Sequence, residues 1–112
     1  MMRKPEECRT MDEIRVEIDR VDQGLVRLFS ERASYIDQAA RIKAAIRMPA
    51  RIDERVEQVV GNVRCHAAEQ GLPPDMIETL WRQLIDWSIA REESHLGQSD
   101  VLKGWKDDSN GD

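Results

Sequence analysis

Residues 11–48 read MDEIRVEIDRVDQGLVRLFSERASYIDQAARIKAAIRM, the longest helical pattern in the chain. This stretch contains no proline and a single glycine. Its apolar residues recur at steps of three and four, the period of an amphipathic helix. They are Ile14, Ile18, Val21, Leu25, Leu28, Phe29, Ile36, Ala39, Ala40 and Ile42. One helix of this length would be about 55 Å long. Because a small domain is narrower than that, we expect the helix to pack against something beyond its own chain.

The first helix has recognisable ends. Thr10 or Asp12 is the predicted N-cap, and the acidic Asp12 and Glu13 suit the positive end of the helix dipole. Pro49 ends the helix, because it lacks a backbone donor and disfavours helical geometry in the residue before it. Residues 1–10 precede the helix as a polar lead-in.

Two more helices follow after short turns. Asp53 begins the second helix, and Gly71 ends it as a C-terminal cap residue. Pro74 suits the first turn of the third helix, which we expect to end at about His95 or Leu96. The sequence therefore predicts an all-α fold with three helices per chain.

A single chain of this kind leaves much of the apolar stripe of its long helix uncovered. The economical arrangement is an intertwined homodimer, in which two long helices pack together and all six helices share a core. We therefore predict one helical domain over residues 11–96 that dimerises. The polar segment 97–112 is expected to be a disordered tail.

Composition limits the classes of partner. The chain has 112 residues, of which 40% are hydrophobic and 35% charged, and its net charge of −5 argues against a nucleic-acid partner. No apolar run approaches the length of a membrane span and no signal-peptide pattern is present, so we expect a cytoplasmic protein without a membrane partner. Cys8 and Cys65 match no disulfide or zinc spacing, which predicts free thiols and no metal site.

Cations on the long helix suggest a local anion site. Arg32 and Lys43 are eleven residues apart, which puts them on one helix face about 16 Å apart along the axis. Two long basic side chains at this spacing can clamp a small dianion. Arg15 is roughly 25 Å from Arg32 and lies on another face, so it would serve a site on another subunit. Arg55 opens the second helix and adds a cation near the Lys43 end.

Two polar residues interrupt the apolar stripe of the third helix. Ser88 and Glu92 are four residues apart and share a face. Plainer explanations remain open for these side chains: Arg32 could pair with Asp37 at the surface, and Ser88 could bond a carbonyl of its own helix. Glu92 could be solvated within the run 91–93. Residue chemistry alone predicts a helical dimer with an anion pocket and goes no further.

The order of these residues resembles the all-helical chorismate mutase class, over roughly residues 10–96. The matching patterns are Ile14-Arg15-x-x-Ile18-Asp19-x-x-Asp22-x-x-Leu25-Val26-x-Leu28, Glu31-Arg32, Ile42-Lys43 and LWRQLIDWSIA over 80–90. The segments 4–8, 49–50 and 54–56 are similar to a sub-branch, the isochorismate pyruvate lyases, which share the fold.

The resemblance implies a role for each candidate residue. Arg32 would grip the enolpyruvyl carboxylate, and Lys43 would bond the ether oxygen and a carboxylate. Ser88 would contact the ring carboxylate, and Arg55 matches the arginine that opens the second helix. Arg15 resembles the arginine supplied by the partner subunit. The implied ligand is a small dianion, chorismate or isochorismate, and the implied chemistry requires no metal or other cofactor.

Two positions depart from the mutase pattern. Val56 stands where mutases typically have a glutamate that holds the ring hydroxyl, as in the lyase branch. Glu92 stands where bacterial members usually have a glutamine that donates a hydrogen bond to the ether oxygen. An ionised glutamate only accepts hydrogen bonds, so Glu92 must be protonated for that task.

These observations predict a chorismate mutase in which Lys43, Glu92 and Arg32 act on the substrate. Arg15, Arg55, Val56 and Ser88 would complete the binding pocket. One alternative is an isochorismate pyruvate lyase, which Val56 favours. A second alternative is a non-catalytic or regulatory helical dimer.

Overall fold

The computed structural model describes residues 2–101, with side chains through residue 96. A short 3-10 helix, Pro5–Glu7, precedes α1 (Met11–Ile46), α2 (Asp53–Glu69) and α3 (Pro74–Val101). No strand occurs among residues 2–101. The prediction of an all-α chain with three helices is therefore confirmed for this part of the protein.

The start of α1 follows the predicted capping chemistry. The backbone amide of Glu13 donates to Oγ1 of Thr10 at 3.1 Å, which makes Thr10, rather than Asp12, the capping side chain. The Glu13 carboxylate in turn accepts from the backbone amide of Arg9 at 2.7 Å. Two amides that the helix itself cannot satisfy are thus paired by side chains.

The third helix continues beyond its expected end. We expected α3 to end near Leu96, before Gly97, but it extends to Val101. One glycine inside a helix costs only about 1 kcal/mol relative to alanine, and no proline follows to stop the helix. The predicted tail therefore begins after Val101 at the earliest. Its remainder, residues 102–112, lies outside the described residues.

Two helices end in the same capping motif with different residues. In α1, the amide of Met48 donates to the carbonyl of Lys43 at 2.8 Å, and Arg47 has a left-handed φ of 58°. In α2, the amide of Leu72 donates to the carbonyl of Ala67 at 2.8 Å. Here the left-handed residue is Gly71, with a φ of 75°. Glycine adopts this left-handed conformation without a steric cost, whereas arginine adopts it only at a steric cost.

We expect Arg47→Gly to raise the free energy of unfolding by about 0.5–1 kcal/mol, because relief of the left-handed strain exceeds the entropy that glycine loses on folding. Urea denaturation at fixed protein concentration measures the change. Gly71→Ala is the matched control at the equivalent position of α2 and should shift stability in the opposite direction. A destabilising effect of Arg47→Gly would contradict the argument.

The apolar core joins α2 to α3. The buried residues form one cluster: Ala50, Val56, Val60, Ile85 and Ile89. Val59, Trp81 and Leu96 are partly buried and pack against this cluster. None of these residues belongs to α1. The long helix buries the small side chains of Ala33 and Ala40 instead. The hydrophobic cluster therefore fixes α2 against α3 more firmly than it fixes α1.

Most of the apolar stripe of α1 is exposed. The chain divides between Tyr35 and Ile36 into two compact units, and α1 runs through both. The large apolar side chains that stay exposed on α1 are Met11, Val16, Ile18, Val21, Leu25, Val26, Leu28, Phe29, Tyr35, Ile42 and Ile46. A single chain leaves them facing water, and the homodimer that would cover them remains a prediction. In the part of the chain described, no helix combines the length and apolar character that crossing a bilayer requires.

Candidate functional site

A buried ion pair joins α1 to α3. The ammonium of Lys43 donates to Oε1 of Glu92 at 2.8 Å, and it also donates to the backbone carbonyl of Ala50 at 2.8 Å. The two side chains are 18% and 6% exposed. A charge-assisted bond at this distance is among the stronger interactions in a protein interior. The plainer explanation from the sequence, that Glu92 is a solvated surface residue, is therefore wrong.

Ser88 lies one helical turn before Glu92 on the same face of α3. It is only 3% exposed. Its hydroxyl donates to the carbonyl of Leu84 at 2.8 Å, which is the contact that the plainer explanation required. Ser88 and Glu92 are thus two buried polar residues within a mainly apolar surface of α3. A hydroxyl has a single proton to donate, so contact with a carboxylate would require Ser88 to turn that proton away from the Leu84 carbonyl.

The two candidate residues at the start of α2 differ in environment. Arg55 is exposed, and its Nη1 makes only a long contact of 3.5 Å with Oε1 of Gln58. Val56 is 9% exposed and belongs to the apolar cluster between α2 and α3. An arginine held this loosely can turn toward an anion at little cost, whereas the valine brings no polar group.

The other two arginines lie in the first compact unit. Arg15 is on the first turns of α1, where its side chain is 67% exposed and contacts Asp12 at 3.6 Å. Arg32 is half-buried further along α1. An exposed pair of this kind is worth little, so Arg15 is free to find another partner at little energetic cost. That Arg15 and Arg32 converge on one ligand stays a prediction.

The sequence reasoning missed a polar cluster beside the Lys43–Glu92 pair. Arg91 binds Asp37 at two points along one edge of its guanidinium, from Nε to Oδ1 at 2.6 Å and from Nη2 to Oδ2 at 2.9 Å. Nε2 of His95 lies 2.9 Å from the same Oδ1. We call these three residues the Asp37 clamp. Hydrogen bonding from Arg91, and secondarily from His95, lowers the pKa of Asp37 to about 2.

The clamp also rests on an aromatic ring. The guanidinium of Arg91 lies 5.3 Å from the ring centroid of Trp87, one turn earlier on α3. Hydrogen bonding to Asp37 raises the pKa of Arg91 above its ordinary value. Stacking over a ring and a two-point bond to a carboxylate both use the planar guanidinium, so a lysine would not replace Arg91.

A sequence signal for the clamp did exist. Arg91 follows Ser88 by three residues, which places it near the apolar face of α3, and His95 follows at the spacing that shares a face. An inward arginine usually needs a carboxylate partner. The identity of that partner, Asp37, depends on how two distant helices pack, which the sequence pattern alone does not specify.

The described side chains include no group of three or more histidine, cysteine, aspartate or glutamate residues able to hold a metal ion. What the second unit does bring together is a largely buried ammonium, a buried carboxylate and a buried hydroxyl. An ammonium next to a carboxylate that can take up a proton suits a small, oxygen-rich, negatively charged ligand.

Comparison with known proteins points in the same direction. Residues 14–93 match the family model described as chorismate mutase type II. The chain is 34% identical over 99 residues to an isochorismate pyruvate lyase of Pseudomonas aeruginosa, an alignment that covers 88% of this chain and 96% of that protein. It is 29% identical over 93 residues to the T-protein of Enterobacter agglomerans, covering 83% of this chain and 23% of that protein. It is 27% identical over 86 residues to a bifunctional chorismate mutase/prephenate dehydratase of Aquifex aeolicus, covering 74% of this chain and 24% of that protein.

Proposed function

The chain belongs to the chorismate mutase type II family, and from this membership we propose that it converts chorismate to prephenate. The observation that carries the proposal is the buried pair between Lys43 and Glu92, with the ammonium and the carboxyl group 2.8 Å apart. A buried ion pair of this kind is often no more stabilising than apolar residues would be. Its presence is better explained by chemistry at that position than by a need for stability.

The reaction is a unimolecular rearrangement, so the protein has to orient and stabilise rather than attack. Carboxylate-binding cations would hold the substrate in its reactive conformer. Lys43 would donate to the ether oxygen, on which negative charge develops as the carbon–oxygen bond breaks. Glu92, when protonated, would donate to the same oxygen. Ser88 would contact the ring carboxylate from the adjacent turn of α3.

The remaining cations would come from two chains. We place Arg32, with Lys43 and Arg55, on one protomer and Arg15 of the partner subunit across the dimer interface. The exposed apolar residues of α1 support a homodimer, because burial against a second copy would remove them from water at about 25 cal/mol per Å². The exposed and weakly held Arg15 is compatible with such a role.

A second candidate activity is isochorismate pyruvate lyase. The same substrate-binding cations would hold isochorismate, and the protein would release pyruvate and salicylate. Two observations favour it: Val56 is an apolar core residue where a mutase would hold the ring hydroxyl with a glutamate, and the similar lyase aligns over almost its whole length. Ser88, which resembles the mutase serine, favours the mutase.

The experiment that tests the proposal is a pair of incubations of purified protein. Chorismate is followed by its disappearance and by prephenate formation, and isochorismate is followed by salicylate fluorescence. Prephenate without salicylate supports the mutase. Salicylate from isochorismate without prephenate supports the lyase instead. No turnover of either substrate would favour the non-catalytic helical dimer.

The pH profile should report on Glu92. Because Oε1 of Glu92 accepts a hydrogen bond from Lys43, the ionised carboxylate has no proton to donate to the ether oxygen. We expect mutase kcat/KM to be higher in acidic than in alkaline buffer, because only a protonated carboxyl group can donate to the ether oxygen. Glu92→Gln, which donates at every pH, should flatten the profile. Stopped assays between mildly acidic and mildly alkaline pH measure this.

The neighbouring exposed acid provides the control for that experiment. Glu93→Gln removes the same charge one residue away and should leave the pH profile as in the wild type. If the wild type and Glu92→Gln have superimposable profiles, Glu92 does not act as a proton donor.

A further inference from the structure

We propose that Asp37 and Arg91 are positioning residues that set the placement of the C-terminal part of α1, residues 36–46, against α3 and thereby hold Lys43 at Glu92, an inference that rests on the proposed function. Neither residue would touch the substrate. Their two-point contact would act through Lys43, which lies on the same helix as Asp37, and through Glu92, which directly follows Arg91.

Apolar packing alone gives the end of α1 little restraint against α3. The buried cluster draws its residues from α2, α3 and the preceding loop, and none from α1. Around Lys43, the apolar side chains Ile42 and Ile46 of α1 are more than half exposed. The buried contribution of α1 in this region is Ala40, a small side chain with few contacts to lose when the helix slides or rotates. Directional polar contacts must therefore supply part of the restraint.

The geometry of the clamp is suited to that restraint. A fork-to-fork bond between a guanidinium and a carboxylate fixes an angle as well as a distance, unlike a single ion contact. Asp37 lies about 9 Å along the helix axis from Lys43, less than two turns away. A displacement of about 1 Å at a reacting group can cost on the order of 100-fold in rate. A fixed point this close to Lys43 limits such displacement.

Further contacts keep the clamp in one orientation. Trp87 supports one side of the Arg91 guanidinium, and His95 bonds the carboxylate oxygen that also receives Nε of Arg91. Among the side chains described, the charged or titratable groups bonded to Asp37 are Arg91 and His95, both from α3. The pKa of Asp37 in the folded protein is depressed to about 2. The ionised carboxylate therefore contributes fully to stability when the pH is above the ordinary pKa of an aspartate, and this contribution is lost as the pH falls through about 2. The clamp is therefore intact across the pH range of an enzyme assay.

Asp37→Asn keeps the shape of the side chain and removes its charge and one of its two acceptors. We expect kcat to fall at least 10-fold with KM changed less than 3-fold, since the other carboxylate-binding groups remain in place while Lys43 moves away from the ether oxygen. Exchanging the charges, Asp37→Arg with Arg91→Asp, should restore part of the lost kcat.

A matched control exists on the other side of α3. Arg82 holds Glu57 of α2 in a similar two-point contact, with bonds of 3.2 and 3.0 Å. Glu57→Gln removes a helix-joining ion pair of the same kind between α2 and α3, whose placement the apolar cluster already fixes. It should leave kcat within 2-fold of the wild type. An equal loss of kcat in both variants would overturn the proposal, because the effect would then be general.

Hydrogen exchange gives a readout that does not depend on catalysis. In Asp37→Asn, amide exchange over residues 41–46 should accelerate at least 10-fold, while exchange over α2 and α3 stays as in the wild type. Unchanged exchange over residues 41–46, or wild-type kcat in Asp37→Asn, would overturn the positioning role. If the wild-type protein turns over neither chorismate nor isochorismate, the proposed function fails, and accelerated exchange would still support the clamp as the restraint on α1.

Discussion

Lys43→Ala is expected to lower mutase kcat by a factor of about 100–1000, which corresponds to about 2.7–4 kcal/mol of barrier for one donor to a developing oxyanion. The ammonium is the positively charged partner of the buried Glu92 and is itself mostly shielded from water. In such surroundings a hydrogen bond to a developing charge is worth more than in solution. Steady-state kinetics with chorismate measure the effect.

Loss of activity has to be separated from loss of folding. Removing Lys43 leaves the buried Glu92 without its counter-charge, which can destabilise a protein by about 3–5 kcal/mol. The double variant Lys43→Ala, Glu92→Gln removes both charges and should recover most of the stability without recovering kcat. Lys4→Ala, in the exposed N-terminal segment, is the control for loss of a lysine. Wild-type kcat in Lys43→Ala would exclude Lys43 from the chemistry.

Mixing two inactive variants is expected to restore activity. If Arg15 completes the site of the partner subunit, Arg15→Ala and Arg32→Ala each disable both sites of a homodimer. In a heterodimer of the two variants, one site carries both substitutions and the other carries neither. Random exchange of subunits should therefore recover about a quarter of the wild-type activity. Activity after mild denaturation and refolding of an equimolar mixture measures this.

The matching control uses two positions that we assign to the same side of one site. In a heterodimer of Arg32→Ala and Arg55→Ala, every site lacks one arginine, so mixing should restore nothing. Equal recovery in both mixtures would point to a general effect of mixing. No recovery from the Arg15 and Arg32 pair, once subunit exchange is demonstrated, would remove the shared site.

The sequence predicted those features that depend on local chemistry. Thr10 caps α1 because a hydroxyl at that position can reach the amide of Glu13. Gly71 ends α2 because its left-handed conformation suits a residue without a side chain. Val56 and Val60, four residues apart on α2, and Ile85 and Ile89, four residues apart on α3, have the helical spacing that lets both members of a pair reach the core. Among the candidate site residues, the pairing of Lys43 with Glu92 joins two residues singled out separately for their spacing and position.

Other features depend on how distant helix faces meet, and local pattern did not specify them. The run at 91–93 left a solvated Glu92 open although Glu92 shares the face of Ser88, and helix packing decides that Glu92 is buried while Glu93 stays exposed. Asp37 was considered as a partner for Arg32, yet it bonds Arg91, which is far away in sequence. The backbone carbonyl of Ala50 as a partner of Lys43 depends on the course of a loop, which periodicity does not describe.

The location of the apolar cluster bears on the order in which the protein folds. Because that cluster joins α2 to α3, neighbouring helices with one short turn between them, its contacts close a small loop and should form early. During synthesis α1 is made first. The contacts of its residues Asp37 and Lys43 can form only after Arg91 and Glu92 of α3 have been made. Substitutions at Val60 or Ile89 should therefore slow folding, whereas substitutions at Asp37 should mainly speed unfolding.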